Sequence, residues 1–271
     1  MGAIDVWAQI TTPKMASAPW LQTLLRWTDR EPGEVPSVEE TLIAMDEANI
    51  DIAFLSAWYG PEGELIGNDN VREKIEQHPM RFRGLASVDI RDPMAAVRTI
   101  REAVDGKQFV GVRIVPWLWD LPPNDRRYYP IFAACVDAGV PLCTQIGHTG
   151  PLRRSETGRL IPYLEDVLLD FPELVVVGGH VGFPWISEVI SLAHKFPNFY
   201  VDTSAYVAKR LPSDFVRFMQ MEGKTRVMFG TNWPMLSGGR CLQDIDKLNL
   251  GDEVKTLFLR ENAERVFKLN H

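Results

Sequence analysis

The chain has 271 residues, with 36 acidic and 29 basic side chains and a formal net charge of -7. An acidic chain without clustered lysine and arginine does not suit nucleic acid or an anionic membrane surface, so we expect neither as a partner. No apolar run approaches the ~18 residues of a membrane span, and the 45% hydrophobic content is that of a globular protein able to bind a small molecule.

The three cysteines, Cys135, Cys143 and Cys241, are odd in number and show no CxxC spacing. No signal-peptide pattern precedes them. Cys143 lies in a predicted strand and Cys135 in a predicted helix, where both are expected to be buried as small apolar side chains. We therefore expect a reducing, cytoplasmic location.

Along the chain, short apolar runs that predict strands alternate with amphipathic stretches that predict helices. The predicted strands are residues 3–10, 51–56, 82–88, 109–115, 139–146, 175–180, 198–203 and 226–230. Strands that are apolar throughout are typical of a parallel sheet covered on both faces. Eight such units in about 250 residues are typical of a (β/α)8 barrel, so we predict one α/β TIM-barrel domain over residues 1–271.

Two long loops and a helical tail depart from this repeat. Residues 11–36 follow the first strand and residues 116–124 follow the fourth, and loops of such length often cover binding sites. Ser37, followed by Glu40 three residues later, predicts a capped helix start, and residues 252–267 predict a C-terminal helical segment. A short amphipathic helix in the first loop is predicted from Trp20, Leu21, Leu24, Leu25 and Trp27.

The sixth predicted strand ends in His180. Active sites of α/β barrels lie at the carboxyl ends of the strands and in the loops just after them. A histidine with an ordinary pKa of ~6.5 can donate or accept a proton near neutral pH. His180 is therefore the first catalytic candidate, and the alternative is a histidine that only packs against the strand end.

Other polar side chains are expected at the same end of the barrel. His148, in the loop after strand five, and Asp202, at the end of strand seven, are further candidates for moving a proton or orienting a histidine. Arg113 interrupts an apolar strand, and a buried guanidinium needs an anionic partner. That partner is either the carboxylate of a substrate or the carboxylate of Asp89 or Asp202 within the protein.

Aromatic and amide side chains complete the predicted substrate site. The aromatic residues in the loops after the strands indicate an unsaturated or aromatic ligand, with packing of the loops as the alternative reading. Arg153, beside Arg154, either adds to an anion site or forms surface ion pairs. The substrate-binding candidates, in addition to Arg113 and Arg153, are Trp7, Gln9, Trp117, Gln145, Tyr206 and Asn232.

Four segments, in this order and spacing, resemble the amidohydrolase superfamily. They are GHTG at 147–150, GHVGFPW at 179–185, YVDTS at 200–204 and VMFGTNWP at 227–234. The resemblance runs from strand one to the last helix. It is to the amidohydrolase-related branch that includes aromatic-acid and aminocarboxymuconate-semialdehyde decarboxylases.

The resemblance implies a divalent metal held by a His-x-His pair on strand one, histidines on strand five and after strand six, and an aspartate after strand eight. Here Trp7 and Gln9 stand at the pair, and Asn232 stands at the aspartate. The strand-five position falls on Gln145 or on His148, depending on the direction of counting, and the alternation of side chains along a strand favours Gln145.

Among these positions, only His180 carries the implied residue at an unambiguous position. Because a zinc site keeps about three protein ligands, we expect no bound metal and no other cofactor. Asp89 and Asp202 are the side chains that a weak metal site would use.

The sequence therefore favours a metal-independent hydrolase or decarboxylase-type lyase that acts on a small unsaturated or aromatic carboxylic acid. Two alternatives stay open: a non-catalytic barrel that binds a ligand, and a metal-dependent member with an atypical ligand set. Barrels of this kind often pair through their helices, so a homodimer is also considered, although the charge pattern indicates no interface.

Overall fold

The computed structural model describes residues 2–25, 28, 31 and 33–269. Trp27, assigned above to a loop helix, lies outside the described residues. The strands are β1 (Ala3–Ala8), β2 (Ile50–Ser56), β3 (Trp58–Gly60), β4 (Gly63–Ile66), β5 (Phe82–Ala86), β6 (Phe109–Ile114), β7 (Leu142–Gln145), β8 (Val176–Gly179), β9 (Phe199–Asp202) and β10 (Val227–Met228).

The central sheet has eight strands in the order β1-β2-β5-β6-β7-β8-β9-β10, and each strand pairs in parallel with the next. The last strand returns to the first, since Val6 N donates to Phe229 O at 3.0 Å and Asn232 N donates to Trp7 O at 2.8 Å. An isolated parallel bridge joins Ala8 to Trp233. The predicted TIM-barrel fold is confirmed.

Helices alternate with these strands and cover the sheet. They are α1 (Pro13–Ala16), α2 (Pro19–Leu25), α3 (Val38–Glu47), α4 (Asn68–Gln77), α5 (Pro93–Ala103), α6 (Pro116–Trp119), α7 (Tyr129–Ala138), α8 (Tyr163–Asp170), α9 (Ile186–Lys195), α10 (Ser213–Gln220), α11 (Gly238–Leu242), α12 (Gly251–Thr256) and α13 (Asn262–Val266). A π-helical turn, Leu257–Glu261, joins the last two. The Ser37–Glu40 capping box is present at the start of α3. No helix in the described ranges is long and apolar enough to cross a membrane.

The core has two parts. The larger cluster packs the helices against the outside of the barrel. The smaller cluster fills the barrel interior and is closed at one end by Phe267, whose ring lies 4.7 Å from that of Phe54. It comprises Ile4, Val6, Phe54, Leu85, Val110, Cys143, Val177, Met228, Ala263, Val266 and Phe267.

Two local features differ from the sequence-based expectation. A short antiparallel hairpin, β3–β4, follows β2, where the sequence analysis placed only a connection. In β1, a register shift between Asp5 and Ala8 breaks the alternation of faces. As a result Ala8 packs in the outer cluster, while the ring of Trp7 reaches across the barrel to residues of β6 and β8.

Candidate active site

A cavity of about 670 Å³ opens at the carboxyl ends of the strands. Its floor is formed by polar side chains at or just after the ends of β1, β7, β8 and β10, and its walls by residues of the loops. The floor side chains are Gln9, Gln145, His148, His180 and Asn232. This is the location at which α/β barrels build their active sites.

His180 is held on the floor by a short hydrogen-bonded chain. Its Nδ1 lies 2.6 Å from Ser204 Oγ, and the Ser204 hydroxyl also forms a short hydrogen bond with Asp202 Oδ1. The backbone N–H of Ser204 donates to the same oxygen at 2.9 Å. A hydroxyl has one proton, so when it donates to the carboxylate it accepts from Nδ1–H. In this arrangement the Nε2 of His180 is left as a hydrogen-bond acceptor.

Burial sets the charge of these groups. Desolvation, followed by the positive charges of Arg113 and His148, lowers the pKa of His180 to about 3, so the imidazole is neutral at neutral pH. Desolvation raises the pKa of the Asp202 carboxyl. Asp202 and Ser204 are completely buried and do not line the cavity. Asp202, expected either to move a proton or to orient a histidine, therefore reaches the cavity only through Ser204 and His180.

Trp7 and Arg113 lie behind the floor. The guanidinium carbon of Arg113 is 3.3 Å from the centre of the Trp7 ring, and the centre of the His180 imidazole lies 4.4 Å from it. Both residues are fully buried and neither lines the cavity. The expectation that Arg113 and Trp7 contact substrate is therefore corrected, because both side chains are buried and the indole contacts the guanidinium on one side and His180 on the other.

Arg113 does not form the internal salt bridge that was the alternative reading. Its one hydrogen bond to the described residues is from Nη2 to Val6 O at 3.4 Å, and Nε and Nη1 have none there. Desolvation lowers the pKa of the buried guanidinium, and Cys143, Asp202 and Asp5 act in the opposite direction. The proposed partner Asp89 is instead paired with Arg91 at 2.7 Å.

The amide side chains of the floor are already engaged with the protein. Gln145 Oε1 accepts from Trp117 Nε1 at 2.5 Å, and its Nε2 donates to His148 O at 3.3 Å. Gln9 Nε2 donates to Asn232 Oδ1 at 3.2 Å. Gln9 Oε1 and His148 Nδ1 have no hydrogen-bond partner in the described structure. Both atoms are buried, so they are unsatisfied polar groups just behind the surface of the cavity.

The backbone is strained at three of the strand ends that surround the cavity. His180 and Val181 after β8, Ala205 after β9 and Asn232 after β10 have φ values of 75°, 63°, 65° and 70°. Residues other than glycine rarely adopt this left-handed conformation, and for a β-branched residue such as Val181 it is an outlier. Such strain concentrates at functional sites. Here it occurs where the chain leaves three strands beside the cavity.

Three indoles form one wall of the cavity. Trp20 is stacked on Trp58 with ring centres 5.9 Å apart, and it meets Trp117 edge-on at 5.0 Å. These rings come from three separate segments, α2, β3 and α6. Tyr206 lines the cavity as well, and burial raises the pKa of its hydroxyl to about 12.

The remaining charged side chains of the cavity are cationic. Lys209, Arg210 and Arg240 line its outer part, and no aspartate or glutamate lines it within the residues that the structure describes. Arg153 is exposed and lies outside the lining, with its guanidinium carbon 6.0 Å from the ring of Trp117. A cationic outer part on a protein with net charge -7 indicates an anionic ligand.

The structure thus divides the sequence-predicted site residues into three groups. His180, His148, Gln145, Gln9, Asn232, Trp117 and Tyr206 line the cavity, Trp7, Arg113 and Asp202 are buried behind it, and Arg153 is outside it. Sequence reasoning did not assign a role to Ser204 or to the cations Lys209 and Arg210. Ser204 could have been suspected from its position two residues after Asp202, whereas nothing in the sequence marks the two cations.

The fold and the cavity define the class of protein: a (β/α)8 barrel with a ligand site at the carboxyl ends of its strands. The family model described as Amidohydrolase matches residues 4–269. The chain belongs to the amidohydrolase family, and the expectation of an enzyme of that family is confirmed.

Curated and solved proteins resemble the chain over most of its length. Gamma-resorcylate decarboxylase of Rhodococcus jostii (strain RHA1) is 25% identical over 83% of this chain and 86% of its own. An uncharacterised TIM-barrel protein from Bordetella bronchiseptica superposes with a TM-score of 0.83 at 23% identity, covering 99% of both chains. A dihydroxybenzoic acid decarboxylase from Polaromonas sp. JS666 superposes with a TM-score of 0.75 at 18% identity, covering 100% of this chain and 98% of that one.

The expectation that no cofactor is involved is contradicted by these neighbours. The Polaromonas structure contains bound manganese together with the inhibitor 2-nitroresorcinol. The substitutions at Trp7, Gln9 and Asn232 are therefore not a sufficient reason to exclude a divalent metal, and we withdraw the expectation.

The side chains that the structure describes nevertheless do not form a ligand set for such an ion. Within the described part of the chain, no group of three or more His, Cys, Asp or Glu side chains could hold a metal ion. The floor offers imidazoles and amides, and Arg113 brings a positive charge close behind them.

Proposed function

We propose that this protein is a carboxy-lyase that removes carbon dioxide from an aromatic carboxylic acid. The observation that carries the proposal is the cavity itself, in which a neutral histidine on the floor meets an aromatic wall and a cationic outer part. The names of the relatives, decarboxylases of resorcylate and dihydroxybenzoic acid, support the same reaction class. Hydrolysis is a property of the wider superfamily, and no residue of the site favours it here.

Decarboxylation breaks the bond between the ring carbon and the carboxylate and leaves its electron pair on the ring. The ring carbon must take up a proton as carbon dioxide leaves. In our scheme Nε2 of His180 accepts the proton of a ring hydroxyl beside the carboxylate only transiently and delivers it at once to that carbon, because an imidazole with a pKa of about 3 is not populated in its protonated form. Solvent later restores the hydroxyl proton, so the reaction consumes one proton overall.

The neighbours of His180 suit this transfer. Ser204 orients the imidazole so that Nε2 is the acceptor, and the buried Asp202 holds Ser204 in place through its hydrogen bond to the hydroxyl. His148, whose Nδ1 has no partner in the described structure, is proposed as the second proton-handling group. Gln9, Gln145, Asn232, Trp117 and Tyr206 are proposed to orient the substrate, and Arg153 to attract it from outside.

The test is release of labelled carbon dioxide from carboxyl-labelled 2,6-dihydroxybenzoate and related hydroxybenzoates. The assay is run with and without added manganese, because manganese is bound in the Polaromonas neighbour. We expect equimolar carbon dioxide and phenolic product, and in D2O one deuterium at the carbon that lost the carboxylate. We expect His180→Asn to lower kcat about 100-fold.

Failure to release carbon dioxide from any aromatic acid that binds in the cavity would contradict the proposal. The non-catalytic ligand-binding barrel would then be the better description. We also retain as proposals a single domain over residues 1–271, a cytoplasmic location and a homodimer, with no nucleic acid or membrane partner.

A further inference from the structure

We propose that the natural substrate is an extended aromatic acid that carries a second anionic group beyond its first ring, and that Lys209 and Arg210 bind this group. The inference rests on the proposed function in one respect, since it takes the reacting carboxylate to lie at His180. It adds a second subsite at the outer part of the same cavity.

The size of the cavity is the first argument. A volume of about 670 Å³ holds on the order of twenty non-hydrogen atoms if each occupies the ~30 Å³ of a water molecule. A hydroxylated benzoate of one ring, with about ten non-hydrogen atoms, fills only about half of such a space. With its carboxylate at His180, a substrate of that size leaves the outer half of the cavity unused.

The second argument is the order of polar, aromatic and cationic side chains from the floor of the cavity to its outer part. Polar groups form the floor, while Trp20, Trp58 and Trp117 supply a face against which a further ring can stack. Lys209 and Arg210 follow β9 in a short 3-10 turn. Lys209 is five residues beyond Ser204, so its backbone lies within about 17 Å of that residue, a gap that a two-ring acid and long basic side chains can bridge.

The third argument is charge. The side chains of Lys209 and Arg210 are exposed, and neither makes a salt bridge or hydrogen bond with the residues that the structure describes. No carboxylate of the described chain lines the cavity to neutralise them. An anion at the outer end of the substrate supplies the missing partner. Exposed ion pairs are individually weak, so the expected effect is modest and sensitive to salt.

The experiment measures binding without turnover. Biphenyl-4-carboxylate and biphenyl-4,4'-dicarboxylate are titrated into the protein by calorimetry at low and high salt. We expect the dicarboxylate to bind about tenfold more tightly at low salt, and the ratio to fall at high salt as the ion pairs are screened.

A double variant and a matched control locate the effect. Lys209→Met with Arg210→Met is expected to bring the affinity ratio close to one and to leave binding of the monocarboxylate within about twofold. Lys107→Met with Arg217→Met removes the same charge from exposed positions outside the cavity and is expected to keep the ratio.

Equal affinities in the wild-type protein, failure of both biphenyl acids to bind, or a ratio that survives in the Lys209/Arg210 variant would each overturn the inference. The proposed function is judged separately by carbon dioxide release. If single-ring acids are decarboxylated but the two biphenyl acids bind equally well, the proposed function stands and the second subsite is contradicted. If the dicarboxylate binds tenfold more tightly than the monocarboxylate but no acid releases carbon dioxide, the second subsite stands and the proposed function is contradicted.

Discussion

At the scale of single residues, the site depends on how a few buried polar groups share their protons. His180 is neutral, and its ring orientation is set by Ser204, which in turn is held by Asp202 through both its hydroxyl and its backbone N–H. The ring nitrogen that faces the protein determines what the other nitrogen can do. Ser204 is therefore a positioning residue, although it does not touch the cavity.

Replacing Ser204 by alanine tests this role. Without the hydroxyl, Nδ1 of His180 loses its partner and both neutral tautomers become populated, so we expect kcat to fall about tenfold with little change in KM. Nitrogen NMR of the imidazole reports the tautomer directly. Ser204→Thr retains the hydroxyl and is expected to restore the wild-type spectrum, whereas an unchanged spectrum in Ser204→Ala would refute the assignment.

Asp5 gives a second prediction, on stability. It is buried, accepts hydrogen bonds from Thr231 N at 2.9 Å and Trp7 N at 3.0 Å, and desolvation raises its pKa to about 7. A carboxyl with a raised pKa stabilises the fold in its protonated form. This contribution is complete below the unfolded value of ~3.8 and is lost as the pH rises to about 7.

Asp5→Asn stays neutral throughout and keeps an acceptor oxygen. We therefore expect its free energy of unfolding to fall less between pH 5 and pH 8 than that of the wild-type protein. Denaturant titrations at several pH values measure the difference. Asp69→Asn, at an exposed position, should follow the wild-type curve, and parallel curves for Asp5→Asn and wild type would disprove the account.

At the scale of elements, the barrel strands were predictable and their mutual contacts were not. Continuous apolar runs such as residues 109–115 indicate buried parallel strands wherever they occur. The position of Trp7 depends on a register shift in β1, and its contact with Arg113 joins strands that are not neighbours in the sheet. Neither property is encoded in a local pattern, which is why Arg113 was expected to face the substrate.

The candidate site shows the same division. His180 and Gln145 could be assigned because they end apolar strands, where the fold places its functional side chains. The hairpin β3–β4, which contributes Trp58 to the wall, is only three and four residues per strand and gives no distinct signal. Lys209 and Arg210 become significant only when the loop after β9 is seen beside the cavity.

Replacement of Gly179, at the end of β8, tests how closely β8 packs against Trp7 of β1 behind the floor of the cavity. A methyl group added there would overlap the ring of Trp7, so we expect Gly179→Ala to lower the free energy of unfolding by about 2 kcal/mol and to reduce kcat. Gly239→Ala, in α11, meets open space and should change stability by less than about 1 kcal/mol. Comparable effects of the two substitutions would argue against close packing at Gly179.

At the scale of the whole molecule, charge is distributed unevenly. The protein carries a net charge of -7, yet the described residues of the cavity lining include cations and no carboxylate. A concave site of one sign raises the local concentration of oppositely charged ligands. The overall negative charge therefore says little about the charge of the substrate.

This distribution predicts a dependence on ionic strength. Raising the salt concentration from about 0.02 M to about 0.3 M shortens the screening length several-fold, so we expect KM for an aromatic acid with a second anionic group to rise several-fold while kcat stays constant. The corresponding uncharged amide, measured as a competitive ligand, should show no such change. A salt-independent KM for the acid would mean that the cations of the outer cavity do not attract it.

The three-indole wall has a consequence for how this protein and its relatives diverge. The floor is built from strand ends that the barrel holds rigidly, whereas Trp20, Trp58 and Trp117 belong to three segments with separate attachments to the barrel. In the described structure Trp20 and Trp58 have no ring contact with His180, so substitution in their segments changes the wall while the strand ends that hold His180 keep their sequence. New substrate preferences can therefore be acquired one loop at a time, and exchange of these loops between homologues is a practical route to altered specificity.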